Sequence, residues 1–104
     1  MAILVIISGA GIDKNQYEAV RKEVDWEGRP PAGLLLAAAG FDQKGMRVAD
    51  LWESQQALDQ FLDKRLKPAL QKLKVPAPQV DVYPVHNATA YSGIDQFKVK
   101  QAAR

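Results

Sequence analysis

Apolar residues in the first third of the chain follow two different spacings. Residues 2–8 form a continuous apolar run rich in β-branched side chains, which predicts a buried β-strand. Residues 13–24 carry apolar side chains at helical spacing, and Asp13 is a suitable N-cap, so this segment is predicted to be a helix. Residues 25–31 contain prolines and a glycine and predict a loop.

Two further strands joined by a tight turn are predicted in the middle of the chain. Residues 33–41 and 46–53 are the apolar segments, and residues 42–45 between them have the composition of a hairpin turn. Gly45 suits a position with positive φ. The hairpin makes these two strands antiparallel neighbours.

A second helix, a fourth strand and a tail complete the pattern. Ser54 is the predicted N-cap of the helix, and its apolar face consists of Ala57, Leu58, Phe61, Leu62, Leu66, Ala69, Leu70 and Leu73. Pro68 lies inside this face, so a kink or a fresh helical start is expected there. Residues 79–86 predict the fourth strand, and residues 87–104, which have no clear periodicity, predict a C-terminal tail.

The order strand, helix, strand, strand, helix, strand is that of the ferredoxin-like fold. We therefore predict one α+β domain over residues 1–104, with a four-stranded antiparallel sheet and both helices on one face. The second strand is apolar on both sides, because Leu34, Leu36 and Ala38 alternate with Leu35, Ala37, Ala39 and Phe41. Two helices cover one face, so a second copy of the sheet is the expected cover of the other, and a homodimer is predicted.

The composition of the chain excludes several kinds of catalytic and binding site and argues against some kinds of partner. The 104 residues carry a formal net charge of +2, with no cysteine and one histidine. Disulfides, thiolate metal sites and thiol nucleophiles are excluded, and we expect no bound metal, flavin or nucleotide. The small net charge gives no indication of a nucleic-acid or membrane partner.

The apolar run at residues 2–7 has to be distinguished from a signal peptide. No basic residue precedes it and no small-residue cleavage pattern follows it. The run is also far too short to span a bilayer. A cytoplasmic location is therefore expected.

Three stretches of the chain carry a family resemblance. Residues 48–54, residues 65–70 and residues 84–87, in this order of elements, resemble the dimeric α/β-barrel superfamily. Within it, the chain is similar to small bacterial proteins related to antibiotic-biosynthesis-monooxygenase domains, over residues 1–87. The resemblance implies a ferredoxin-like dimeric barrel that binds a small, mainly apolar molecule, with cofactor-independent monooxygenase-like chemistry.

Fold analogy alone does not establish activity. The same superfamily contains haem-degrading enzymes, isomerases and members without known activity, so a non-catalytic ligand-binding or structural dimer stays the alternative. The asparagine–tryptophan–histidine arrangement of the haem-degrading relatives has no evident match, since the first strand offers Ser8 and no asparagine. An RNA-recognition function is rejected, because the third strand lacks the exposed aromatic and glycine pattern of RNA-recognition motifs.

Two titratable residues are the catalytic candidates. Asp50 lies in the third strand on the same face as Val48 and Trp52, where apolar surroundings would raise its pKa. His86, the single histidine, is placed at the end of the fourth strand and is a candidate general base. For both residues, a hydrogen-bonded structural role is the alternative. The candidate ligand-binding residues are Trp52, Tyr17, Trp26 and Tyr83, and the tail cations Lys98, Lys100 and Arg104 are expected to be solvated or to lie over the partner.

Overall fold

The computed structural model of the chain describes residues 1–99, so Lys100 and Arg104 of the predicted tail lie outside the described residues. The elements are β1 Ile3–Ala10, α1 Lys14–Val24, β2 Leu34–Asp42, β3 Gly45–Trp52, α2 Gln55–Phe61, a π-helical turn Leu62–Leu66, α3 Lys67–Leu73, β4 Gln79–Pro84 and a 3-10 helix Ser92–Phe97.

The four strands form one antiparallel sheet in the order β2-β3-β1-β4. In the register of the central pair, Val5 of β1 lies opposite Asp50 of β3, and on its other side Val5 lies opposite Val82 of β4. β2 pairs with β3 from Asp42 opposite Gly45 to Leu34 opposite Trp52, with a bulge between Leu34 and Leu36. This arrangement confirms the predicted ferredoxin-like α+β fold.

Both helix starts follow the predicted capping chemistry. Asp13 and Gln16 form a capping box: the Asp13 carboxylate accepts a hydrogen bond of 2.8 Å from the Gln16 amide, and the Gln16 side chain accepts one of 3.1 Å from the Asp13 amide. The Ser54 hydroxyl accepts a hydrogen bond of 3.1 Å from the Ala57 amide. Each cap satisfies a backbone donor that the first helical turn leaves free.

The second helical segment is divided at Pro68, as expected. Proline has no N–H to donate to the carbonyl four residues earlier, and Pro68 lies in the first turn of α3, the position where a helix tolerates it. The chain reaches α3 through the π-helical turn, in which the Lys67 amide bonds the Leu62 carbonyl five residues back. The sequence pattern did not indicate this wider turn.

The core lies between the helices and one face of the sheet, and its fully buried members include Val5, Trp52 and Leu58. The alternate residues of the strands form the opposite face of the sheet, which we call the open face. Its apolar members are Leu4, Ile6, Leu36, Ala38, Ala49, Leu51 and Tyr83. Both helices pack on the core side, which leaves the open face without a helical layer.

Two strand boundaries differ from the predicted ones. β1 extends to Ala10 because it pairs with β3 up to Gly45, whose φ is positive as predicted. β4 ends at Pro84 rather than at residue 86, because its partner β1 begins at Ile3 and one further bond, from the Val85 amide to the Ala2 carbonyl, closes the ladder. His86 therefore follows the strand instead of ending it. Within residues 1–99, no helix is both long and apolar enough to cross a membrane.

Candidate functional site

A buried carboxylate lies in the middle of β3 on the core side of the sheet. Asp50 is 6% exposed and is the one buried polar or charged residue of the described chain. The Trp52 indole Nε1 donates a hydrogen bond of 3.2 Å to the Oδ2 atom of Asp50. Its Oδ1 atom is buried and has no hydrogen-bond partner among residues 1–99. Because a strand places residues two apart on the same face, the Asp50–Trp52 pair is a direct result of the sequence spacing.

Burial raises the pKa of Asp50 to about 6, and the hydrogen bond from Trp52 opposes part of that rise. The charged form is disfavoured because the apolar surroundings replace water around the carboxylate. A carboxyl group with this pKa takes up and releases a proton close to neutral pH, which is the property required of a general acid or base.

Aromatic rings lie on both sides of this carboxylate. Trp52 packs against Phe61 of α2, with ring centroids 5.2 Å apart. Tyr17 of α1 contacts Trp26 and Phe41, with centroid distances of 5.7 and 5.6 Å. Burial is the main cause that raises the pKa of the Tyr17 hydroxyl, and the Asp50 charge adds a small contribution in the same direction. Tyr17 therefore lies within the electrostatic field of Asp50.

β2 places two small side chains next to Asp50 and Val48. Ala37 pairs with Asp50 and Ala39 pairs with Val48, so both alanines point to the core side of the sheet. Both alanines are exposed, whereas Asp50 itself is buried. We call Asp50, Trp52, Tyr17, Phe41 and Ala37 the Asp50 site.

The predicted ligand-binding residues fall into two groups. Trp52, Tyr17 and Trp26 all belong to the core side and surround Asp50 or one another. Tyr83 pairs with Leu4 and points to the open face, with an exposed fraction of 51%. The structure therefore brings three of the four aromatic candidates together and places Tyr83 on the opposite side of the sheet.

Asp50 and His86 are not brought together. β1 lies between β3 and β4, so β3 and β4 are about 10 Å apart. His86 is exposed and follows the end of β4, beyond the pair of Pro84 with Ile3. A direct proton relay between the two side chains within one subunit is incompatible with this placement.

Three members of the aromatic and apolar surroundings were not indicated as site residues by the sequence. Phe41 and Ala37 belong to β2, where Phe41 pairs with Met46 and Ala37 pairs with Asp50. The hairpin turn predicted at residues 42–45 fixes this register, so the sequence was sufficient to place both residues on the core side. Phe61 was assigned to the apolar face of a helix, and its contact with Trp52 depends on the tertiary placement of α2.

Two surface grooves lie away from Asp50. One lies between the β1–α1 connection and the hairpin turn, and is lined in part by Gly11, Ile12, Lys14 and Phe41. The other lies at the end of α1 against α3 and includes Arg29 and Arg65. Within residues 1–99, there is no group of three or more histidine or acidic side chains that could hold a metal ion.

Neither a family model nor a curated protein sequence matches the chain. Several solved structures, in contrast, match the chain. SnoaB from Streptomyces nogalater, described as a cofactor-independent oxygenase, is 11% identical, with a TM-score of 0.59 over 84% of this chain and 94% of that one. The chain has the fold of the antibiotic-biosynthesis-monooxygenase domains.

Two further structures have the same fold. The ActVA-Orf6 monooxygenase of Streptomyces coelicolor, solved with nanaomycin D, is 20% identical with a TM-score of 0.56, and the match covers 88% of this chain and 92% of that chain. A protein of unknown function from Nitrosomonas europaea is 14% identical with a TM-score of 0.64, over 88% and 95% of the two chains. The resemblance to the antibiotic-biosynthesis-monooxygenase domains is thereby confirmed for the fold of the single chain.

Proposed function

We propose that the chain is a monooxygenase-like protein that binds a small, mainly apolar aromatic molecule at the Asp50 site and oxidises it with molecular oxygen, without a cofactor. One observation carries this proposal: a buried carboxylate with a free Oδ1 atom, and a pKa near neutrality, lies between aromatic rings and next to the exposed alanines of the edge strand β2. The description of SnoaB as a cofactor-independent oxygenase supports the same chemistry for this fold.

The proposed reaction begins with proton abstraction. Oδ1 of Asp50 accepts a proton from an activated C–H group of the substrate, and Trp52 holds the other carboxylate oxygen in place. The resulting substrate anion supplies electrons to molecular oxygen. One oxygen atom replaces the two hydrogens of a methylene group as a carbonyl, and the other leaves as water. Rings such as Tyr17 and Phe41 supply apolar surfaces for an aromatic substrate.

An anthrone is a suitable probe, because it is a flat apolar ketone with an acidic methylene group. We expect the protein to bind it, with quenching of tryptophan fluorescence, and to convert it with consumption of oxygen. Asp50→Asn should lower turnover by about 100-fold or more while binding changes little. His86→Ala, which changes an exposed residue outside the site, is the matched control and should retain full activity.

The outcomes distinguish the alternatives. Binding without oxygen consumption would favour a non-catalytic ligand-binding protein over an oxygenase. Equal turnover in the parent and Asp50→Asn would remove Asp50 from the mechanism. Absence of any binding to apolar aromatic probes would overturn the proposal as a whole and leave the structural dimer.

We further propose that two copies pair through their open faces. The open face carries leucine, isoleucine and alanine side chains, and Leu35, the bulge residue of β2, is 58% exposed. A contiguous apolar surface of this kind is rarely left in water. Tyr91 and Phe97 of the tail are also highly exposed, and the tail is proposed to extend over the partner. Isologous pairing buries the same apolar surface on both subunits.

A cytoplasmic location remains a prediction. The apolar run that resembled a signal peptide lies in β1, one of the two central strands of the sheet. Neither a nucleic-acid nor a membrane partner is proposed.

A further inference from the structure

The groove at the end of α1 is strongly basic. It has a volume of about 280 Å³ and is bounded by the last turn of α1, the loop that follows, the π-helical turn and α3. Four cationic side chains and one carboxylate line it, namely Arg29, Lys64, Arg65, Lys72 and Glu23. Glu23 is already paired with Lys72, at 3.1 Å between Oε1 and Nζ. The remaining three cations have no carboxylate among the groove-lining residues.

Two guanidinium groups converge on one backbone oxygen in this groove. Nη2 of Arg65 donates to the Val24 carbonyl at 2.8 Å, and Nη2 of Arg29 donates to the same carbonyl at 3.3 Å. This carbonyl is at the negative end of α1, which provides only about half of an elementary charge. Two full positive charges are thus held side by side against a partial negative one.

The structure fixes Arg65 in this position. Its guanidinium lies 5.7 Å from the centre of the Phe61 ring, a cation–π contact. Its Nε atom is buried and has no acceptor among residues 1–99. A guanidinium has five N–H donors, and the single hydrogen bond to Val24 leaves most of them available.

The proximity of like charges in this groove is unfavourable. Burial lowers the pKa of Arg65, and the charge of Arg29 lowers it further, while Asp25 opposes the shift. Asp25 is the nearest carboxylate to Arg29, at 3.9 Å, and both side chains are largely solvent-exposed. An anion placed between the two guanidinium groups would neutralise this repulsion and supply the missing acceptors.

We propose that this groove is a binding site for a small dianion of the phosphate class, held by Arg29 and Arg65 with Lys64 at its edge. A phosphate group matches paired guanidinium forks, since each fork donates two parallel N–H bonds to two phosphate oxygens. The site lies on the helical layer, is lined by none of the Asp50 site residues, and stands whether or not the oxygenase proposal holds.

The test is a titration of the protein with inorganic phosphate just above neutral pH, at constant ionic strength, followed by the NMR signals of the arginine Nε–H groups. We expect saturable shifts for Arg29 and Arg65. Arg65→Gln and Arg29→Gln should each weaken phosphate binding by about tenfold or more, because each removes charged hydrogen bonds. Arg29 is exposed, so its replacement keeps the test valid if the Arg65 variant folds poorly.

Lys67→Gln is the matched control. Lys67 belongs to the same helical segment but pairs with Asp63 outside the groove, so its replacement should leave the affinity unchanged. Acetate at the same ionic strength should produce no saturable shift, since a monoanion cannot satisfy both guanidinium groups. Non-saturable phosphate shifts, an equal response to acetate, or unchanged affinity in both arginine variants would each overturn the proposal.

Discussion

Trp52 donates a hydrogen bond to one oxygen of the Asp50 carboxylate and leaves the other oxygen without a partner. Apolar packing surrounds the pair, because Trp52 is fully buried and its ring packs against that of Phe61. A buried carboxylate of this kind is unfavourable for folding in its charged form. The unpaired Oδ1 atom therefore lowers the stability of the folded protein. Groups that are retained at a cost in stability are characteristic of functional sites.

Asp50→Asn should remove a pH dependence of stability. The folded-state pKa of about 6 exceeds the ordinary value of 3.8, so the stabilising contribution of Asp50 is complete below pH 4 and is lost as pH rises through 6. The loss corresponds to about 3 kcal/mol. Relative to the parent, Asp50→Asn should thus gain about 1–3 kcal/mol in free energy of unfolding between pH 4 and 7. Urea unfolding across this range measures it, and a pH-independent difference would contradict it.

Trp52→Phe should raise the pKa of Asp50 above its value in the parent. The indole N–H stabilises the carboxylate, and its hydrogen bond lowers the pKa. Carbon-13 NMR of the aspartate carboxyl groups measures the titration directly. Trp26→Phe, which changes an indole that contacts Tyr17 instead, is the control and should leave the titration unaltered. An unshifted Asp50 in Trp52→Phe would show that the hydrogen bond is weak in solution.

Ala38→Arg should convert a dimer into a folded monomer. Ala38 is an exposed residue of the open face, opposite Ala49 of β3, so an arginine there is tolerated in one subunit but places a charge in the proposed interface. Light scattering should give twice the chain mass of 11.5 kDa for the parent and that mass for the variant. Gln60→Arg on the exposed side of α2 should remain dimeric. A monomeric parent would overturn the proposed pairing.

Apart from the order of elements, which identified the fold, the features predicted correctly are those that depend on neighbouring residues. The caps at Asp13 and Ser54, the hairpin turn and the shared face of Asp50 and Trp52 all follow from spacings of two or three residues. The end of β4 depends on where β1 begins, a contact between distant parts of the chain, so the predicted strand extends two residues too far and includes His86. Local periodicity carries no information about such pairings.

Gly45→Ala should destabilise the fold by about 2–4 kcal/mol. Gly45 has a φ of +138°, and a Cβ atom there would collide with the Gly9 carbonyl oxygen and approach the Gly11 amide nitrogen at 2.8 Å. Gly40→Ala is the matched control within the same hairpin, since nothing lies within 4 Å of its added Cβ. Thermal unfolding of both variants provides the comparison, and similar losses in both would show that the turn adapts easily.

Phe97→Ser should weaken the dimer by about tenfold if the tail extends over the partner. Phe97 is 79% exposed in the single subunit, so its replacement should leave the fold of the subunit intact, and any effect should appear as a higher dissociation constant. Gln96→Ser changes the adjacent exposed residue and is the control. Sedimentation at several concentrations distinguishes them, and identical dissociation constants would exclude Phe97 from the interface.

The π-helical turn has a consequence for how insertions and deletions act on this chain. Leu58 and Leu73 are fifteen residues apart and both face the core, yet a straight α-helix would rotate them about 60° away from each other. The wider turn contains one residue more than an α-helical turn, because its bond reaches five residues back instead of four. Deleting one residue between Phe61 and Lys67 should therefore leave a regular α-helical turn with both apolar stripes still on the sheet, whereas a deletion within α2 or α3 should rotate one stripe away from it.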